Sequence, residues 1–331
     1  MFTLSTILGF AALALATSRT SAPSGALTVG SSGTYSTIQK AVNALSATST
    51  SSQSIFIEAG TYSEQVYIKA LKGPLTIYGY TTDTSSYADN KVTITADKAL
   101  ADESTDDETA TLRVWTTNFK MYNVNVKNTY GSATSNGQAL ALSASATGQG
   151  YYGCGFYGFQ DTILAETGYQ VYGHCYIQGA TDFIFGQAAA AWFDACEIAV
   201  LTASLGYITA SGRASDTSSY YVINNSTIAA ASGATVPSGA FYLGRPWEDY
   251  ARVAFQLTSM TDVINSAGWS EWSTSTSNTE DVTFAEYDNS GAGSKGTRAS
   301  FATKLSEAIA IKSILGSSYE SATYVDTSYL S

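Results

Sequence analysis

Short apolar alternations recur along the middle of the chain at a fixed interval. Val124-Asn125-Val126-Lys127-Asn128, Cys154-Gly155-Phe156-Tyr157-Gly158, Cys175-Tyr176-Ile177-Gln178-Gly179 and Cys196-Glu197-Ile198 can be set one above another. In each, the first and third residues are apolar and face inward by the period-two rule, which predicts strands. Cys154, Cys175 and Cys196 follow one another every 21 residues, and Asp161 and Asp182 keep the same interval. A repeat of this length cannot bury its apolar face alone and reads as a solenoid. It is too short for a strand plus a packed helix. The expectation is therefore an all-β, single-domain parallel β-helix with three short strands per coil.

Stacked coils lie one inter-strand spacing apart, about 4.8 Å. Asp161 and Asp182 then share a ladder position. Two carboxylates so placed repel, and the common resolution is that one keeps its proton while the other stays ionised, which yields an acid and a nucleophile or base in one site. The plainer alternative is a pair of Asx-turn aspartates at strand ends. Phe156, Phe159, Phe183 and Phe185 surround the pair with rings, and Gln160 adds a neutral amide beside Asp161.

Outside the repeat, Thr37 to Leu45 has helical spacing with Ser36 as N-cap, a helix suited to plugging the open N-terminal end of the solenoid. Ile55-Phe56-Ile57 and Leu75-Thr76-Ile77-Tyr78 read as strands, and Gly60 to Glu64 between them as a turn. The acidic run Asp102 to Glu108 lacks calcium-ligand spacing and reads as a solvated loop. Gln138-Ala139-Leu140-Ala141-Leu142 brings a second glutamine to the face of Gln160. Phe301 to Leu315 has Phe301, Leu305, Ala308, Ile309 and Leu315 on one helical face, giving a C-terminal helical tail.

The 331 residues, 44% hydrophobic and 13% charged, suffice for one large core. Leu4 to Ala16 is an apolar run ending in a small-x-small pattern, which predicts a secretory signal peptide over residues 1–16, one mature domain over 17–331 and a secreted, extracellular protein. No later segment reads as a membrane span. A net charge of −11 argues against nucleic acid and anionic membranes as partners. The cysteines number three, so at least one stays free; Cys154 with Cys175, or Cys175 with Cys196, lies within bridging range, and buried thiols fit the spacing equally. Asn224 and Asn225 each begin a glycosylation sequon. Nothing marks an interface, which suggests a monomer.

The chain has one histidine, His174, and alternation turns it away from Cys175. That argues against a Ser-His-Asp or Cys-His device and against a His-based metal site. The remaining candidate machinery is two carboxylates, two amides, rings and an arginine. In Leu243-Gly244-Arg245-Pro246-Trp247, Arg245 suits a fixed clamp on an ionised carboxylate, and the Trp247 indole can stack on a sugar face. This set fits carbohydrate chemistry.

Five motifs, in order, resemble those of the pectin methylesterases. They are Gly60-x-Tyr62-x-Glu64, Gln138-Ala139-Leu140-Ala141-Leu142, Gly155-Phe156-Tyr157-Gly158-Phe159-Gln160-Asp161-Thr162, Gly179-x-x-Asp182-Phe183-Ile184-Phe185-Gly186 and Leu243-Gly244-Arg245-Pro246-Trp247. The resemblance implies a right-handed parallel β-helix that removes methyl groups from galacturonan esters without metal or other cofactor. It implies Asp182 as nucleophile, Asp161 as general acid and then base, Gln138 and Gln160 as oxyanion donors, and Arg245 as the partner that orients Asp182. Trp247, Phe185, Phe156 and Tyr157 would line the sugar subsites, although alternation also sends Phe156 to the core. The acidic surface suggests a preference for highly methylated pectin and release from the polyanionic product. The rivals are a β-helical glycosidase of the polygalacturonase type, since paired carboxylates also cleave glycosidic bonds, and a non-catalytic polysaccharide-binding solenoid.

Overall fold

The computed structural model describes residues 17–331. The expected signal peptide lies outside them. Among the described residues the strands form three parallel sheets of eleven, eight and seven strands, the central coils contributing one strand to each sheet in turn. The interval read from the sequence is the register itself: Tyr152 pairs with Gly173 and Gly173 with Asp194 on the long sheet. Gly155, Tyr176 and Glu197 align on the eight-stranded sheet. Beyond that the coils lengthen, for Asp194 pairs with Asn224 and Asn224 with Gln256.

From Asn123 onward, each coil turns from the long to the eight-stranded sheet through one left-handed residue. Asn123, Gly153, His174, Ala195, Asn225, Leu257 and Asp288 all have φ between 44° and 56° there. Asparagine, aspartate and glycine take this conformation at low cost, whereas Ala195 and Leu257 do so at about 1 kcal/mol each, held by the stack around them. The residue after this corner points inward. Val124, Cys154, Cys175 and Cys196 thus line one interior ladder and are buried. Tyr151, Tyr172 and Phe193 form a second, with ring centroids 5.0 and 4.4 Å apart. The buried phenols are satisfied locally: Tyr151 donates to Gln149 Oε1 at 3.0 Å and Tyr172 to Gln170 Oε1 at 2.8 Å.

No disulfide forms, and all three cysteines are buried thiols. An in-register stack holds their Cα–Cβ bonds parallel at the inter-strand spacing of about 4.8 Å, wider than the roughly 3.8 Å between Cβ atoms that a disulfide needs. Their sulfurs donate instead to main-chain carbonyls, Cys175 to Tyr151 O and Cys196 to Tyr172 O, each at 3.3 Å.

The plugging helix is Ile38–Ala44, capped by Thr37 rather than Ser36. Its first amides donate to the Glu64 carboxylate, from Ile38 N at 2.8 Å and Gln39 N at 2.9 Å. Tyr62 Oη donates to Glu58 O at 2.9 Å. The Gly60-x-Tyr62-x-Glu64 motif therefore closes the N-terminal end. Gly60–Ser63 is an edge strand rather than the expected turn, paired only on one side and largely exposed, so it shows no alternation.

Phe301 to Leu315 is not one helix. Ala302–Lys304 adds the last strand to the long sheet, and only Ile311–Leu315 is helical. The tail then crosses the outer face of that sheet, where Ile314, Leu315, Tyr324, Val325 and Tyr329 bury Tyr122, Tyr152, Trp192 and Tyr220. Tyr152 Oη donates to Tyr324 O at 2.7 Å. Of the two sequon asparagines, Asn224 is buried and donates to Asp194 Oδ1 at 2.7 Å, which removes it as a glycan acceptor. Asn225 is exposed at the corner.

Candidate active site

The outer face of the seven-stranded sheet carries one residue per coil on a single ladder: Tyr67, Arg113, Ser143, Leu164, Phe185, Ala210 and Arg245. Leu140, Leu164, Phe185 and Ala210 form an apolar floor with Trp247 and Trp272 against it. Asp161 and Asp182 enter this floor from the turns just before the strands Ile163–Ala165 and Ile184–Gly186. Gln160 bridges in parallel to Thr181, and Asp161 N donates to Thr181 O at 3.0 Å, so the two aspartates occupy one rung position in successive coils. Both are left-handed, with φ of 61° and 50°, a conformation aspartate tolerates better than most residues. The local turn therefore sets both carboxylates beside the floor, and both are buried.

Arg245 grips Asp182 with two parallel hydrogen bonds, Nε to Oδ1 at 2.9 Å and Nη2 to Oδ2 at 2.5 Å. The guanidinium is held between two rings, 4.1 Å from the centre of Tyr207 and 4.2 Å from that of Trp272. A fork clamped this way has little freedom left to lose, so it orients the carboxylate as well as neutralising it. Asp161 has no such partner, and its Oδ1 is buried without any hydrogen bond.

The two environments divide the protonation states. Burial first, then the charges of Asp182 and Asp106, push the Asp161 carboxyl well above the usual carboxylate range, with Arg245 opposing. Burial also raises Asp182, above the depressed value expected for a carboxylate beside a cation, but the Arg245 hydrogen bonds and charge counter it. The two environments thus favour the proton on Asp161 and the charge on Asp182.

Gln138 and Gln160 come from adjoining coils next to the pair. Ala139 N donates to Gln160 O at 3.2 Å, and a Cβ added to Gly137 would lie 3.0 Å from Gln160 Oε1. Trp247 packs at 6.2 Å from the Phe185 ring. It also lies flat over Gly212, where an added Cβ would meet its ring at 2.4 Å, so only glycine leaves the indole its seat.

Two expected sugar contacts are corrected. Phe156 is wholly buried among the interior rings, 5.7 Å from Tyr151, because inward alternation wins over its nearness in sequence to Asp161. Tyr157 points outward but from the eight-stranded sheet, a corner away, where it packs 5.1 Å from Tyr176. Three further residues belong to the site: Tyr207, Trp272 and Asp106. Tyr207 and Trp272 come from coils outside the 21-residue interval, where no register can be counted. Asp106 sits in the run read as a solvated loop; the Thr105-x-x-Glu108 capping-box spacing was the available sign of local structure there.

The pectinesterase family matches residues 26–312. A pectinesterase of Aspergillus niger is 60% identical over 324 residues, 97% of each chain. A pectinesterase of Aspergillus aculeatus is 58% identical over 324 residues, again 97% of each. The crystal structure of a pectin methylesterase from Aspergillus niger, solved with an N-acetylglucosamine stub, matches with a TM-score of 0.87 at 45% identity, covering 94% of this chain and 100% of that one.

Proposed function

The chain belongs to the pectinesterase family, and from that premise we propose how its residues share the hydrolysis of pectin methyl esters to pectate and methanol. Family membership sets the glycosidase and non-catalytic readings aside. Asp182, ionised and held side-on by Arg245, attacks the ester carbonyl carbon. The carbonyl oxygen becomes an oxyanion, and the Gln138 and Gln160 amides stabilise it as donors already in place. Methoxide is a poor leaving group, so Asp161 hands its proton to the ester oxygen as the C–O bond breaks and methanol departs. Asp182 is left in an anhydride with the galacturonate carboxyl. Asp161, now a carboxylate, takes a proton from water, whose oxygen attacks the anhydride. The bond from the acyl carbon to Asp182 breaks, Asp182 is regenerated as a carboxylate, Asp161 is protonated again, and the product leaves as galacturonic acid, whose carboxyl then gives the second proton of water to solvent.

The unequal treatment of two stacked carboxylates supports this reading most directly: Asp182 has a bidentate cation, whereas Asp161 has a bare buried oxygen and a raised proton affinity. The apolar floor with Trp247 and Phe185 suits sugar faces and methyl groups. The test is methanol release from highly methylated pectin, with reducing ends followed in the same samples. Methanol without chain scission from the wild type, lost in Asp182→Asn, is expected; an Asp182→Asn enzyme with wild-type turnover overturns the nucleophile assignment.

The protein is read as a secreted monomer acting on extracellular pectin. The N-terminal apolar run supports secretion, as does the sugar stub on the Aspergillus niger enzyme. Among the described residues no helix is long and apolar enough to cross a membrane. Asn225 is the candidate glycan acceptor, checked by peptide mapping of the secreted protein.

A further inference from the structure

The acidic run beside the cleft is folded against the catalytic rung. Thr105 caps the one-turn helix Asp106–Thr109. Thr109 Oγ1 donates to Asp106 O at 2.8 Å and accepts from Leu140 N at 3.1 Å, and Asn128 Nδ2 ties Thr109 O and Leu140 O together at 3.1 and 3.0 Å. Gln65 Nε2 fastens the far end through Glu108 O and Ala110 O. Leu140 is two residues from Gln138 and neighbours Asp161 on the ladder, since Leu142 pairs with Ile163. This turn is therefore fixed to the site by side chains bonded to main-chain groups.

Its two aspartates are treated differently. Asp107 is fully engaged, accepting from Arg113, from Trp115 Nε1 at 3.0 Å and from Ser143 Oγ at 2.6 Å. Asp106 has a buried Oδ1 with no partner. Among the described residues six buried side-chain polar atoms lack partners; Asp106 Oδ1, Gln138 Oε1 and Asp161 Oδ1 are three of them, and all belong to this corner. Structural carboxylates are normally saturated with donors, so an orphaned one next to an orphaned acid implies a role in the reaction.

We propose that Asp106 is a positioning residue of the esterase reaction, a third, half-buried carboxylate beside the catalytic pair that keeps the proton on Asp161 until the ester oxygen arrives. The proposal rests on Asp161 being the general acid. The charged groups facing Asp161 are Asp182, Asp106 and Arg245, of which the first two favour its neutral form and the third opposes it. Asp106 in turn lies near Glu166 and Asp107, with Arg113 paired to the latter. Burial and the Arg245 pair dominate at Asp182, so the charge of Asp106 is expected to tell mainly on the acid.

The test is the pH dependence of kcat/KM for methanol release from a fully methyl-esterified oligogalacturonate, whose own carboxyls do not titrate. Removing the charge lets Asp161 lose its proton earlier. Asp106→Asn should therefore move the alkaline limb down by about one pH unit, the effect of one like charge across a buried site. The acid limb, set by Asp182, should stay in place, and Asp106→Glu should restore the wild-type profile. Asp106→Ser removes the same charge and serves if the asparagine variant does not fold. A rate lowered equally at every pH, or limbs that do not move, overturns the proposal. Infrared titration of the protonated Asp161 carbonyl, assigned by its loss in Asp161→Asn, separates the two hypotheses without turnover. A titration that stays put in Asp106→Asn removes the role of Asp106, whereas one that shifts beneath an unmoved alkaline limb keeps the tuning and removes Asp161 as the acid.

Discussion

Two outer faces of the same solenoid each bury an aspartate, and they use it in opposite ways. On the long sheet the C-terminal tail covers the tyrosine face, and Asp194 is saturated: Ser331 N at 2.7 Å, Ser331 Oγ at 2.8 Å and Asn224 Nδ2 at 2.7 Å all donate to it. On the seven-stranded sheet no such tail crosses the floor among the described residues, only the Trp247 and Trp272 rings pack on it, and Asp161 keeps a buried oxygen with no donor at all. A carboxylate satisfied by donors is a fastener, while one denied them holds a proton and can give it away. The difference lies in what crosses each face, and in the left-handed turn that carries Asp161 where Asp194 ends the strand Ala188–Asp194.

The largest expected effects break the open face. Asp182→Asn removes the nucleophile and should lower kcat for methanol release by about 10⁴-fold or more. Asp161→Asn should cost roughly 10²–10⁴-fold, the usual range for a general acid and base. The equivalent change on the covered face, Asp194→Asn, should leave kcat near wild type. If Asp194→Asn proved as inactive as Asp161→Asn in folded protein, the two faces would not be functionally distinct.

Next in size is the ion pair. Arg245→Gln strands a buried carboxylate and loosens the Tyr207 and Trp272 rings, and should cost about 3 kcal/mol in chemical denaturation along with most of the activity. On the other face, Asp194→Ala leaves the Ser331 and Asn224 donors unsatisfied and should cost about 1–3 kcal/mol with kcat unchanged. The pairing of these outcomes matters more than either alone: stability and activity fall together on one side and separately on the other.

How much of this was legible in the sequence follows from where the interval holds. From Cys154 to Cys196 the coil length is constant, so counting alone placed Asp161 under Asp182, sent Phe156 inward and stacked the cysteines. Where coils lengthen, counting fails; Tyr207 and Trp272 reach Arg245 from such coils, and neither spacing nor periodicity pointed at them. Gly60–Ser63 escaped as an edge strand because an exposed edge need not alternate. Phe301 to Leu315 misled for the converse reason: its helical spacing is real in one dimension, yet Phe284 and Ala285 offered strand partners to Ala302 and Thr303 that local pattern does not reveal. Asp106 was hidden by its acidic neighbours, which look solvated until Thr109, Asn128 and Leu140 are seen to hold their turn in place.

The smallest effect sharpens the comparison through its sign. Asp161 binds its proton more tightly in the folded chain than in the unfolded one, because burial and the neighbouring carboxylates disfavour its anion. Its contribution to stability is therefore complete below the ordinary carboxylate pKa of about 3.9 and is lost as pH rises through the raised folded value. Asparagine is neutral throughout. Asp161→Asn should accordingly match the wild type at the acid end and exceed it in Tm by roughly 2 °C once the wild-type carboxyl has ionised. Asp194→Asn should lower Tm at neutral pH, since it replaces an acceptor-only carboxylate by a group that brings its own donors into a shell of donors. Tm measured across pH for both variants decides the matter. Opposite signs at neutral pH would mean that one fold keeps two buried aspartates for opposite purposes; a loss in both would mean that Asp161 is held by its surroundings as a fastener too.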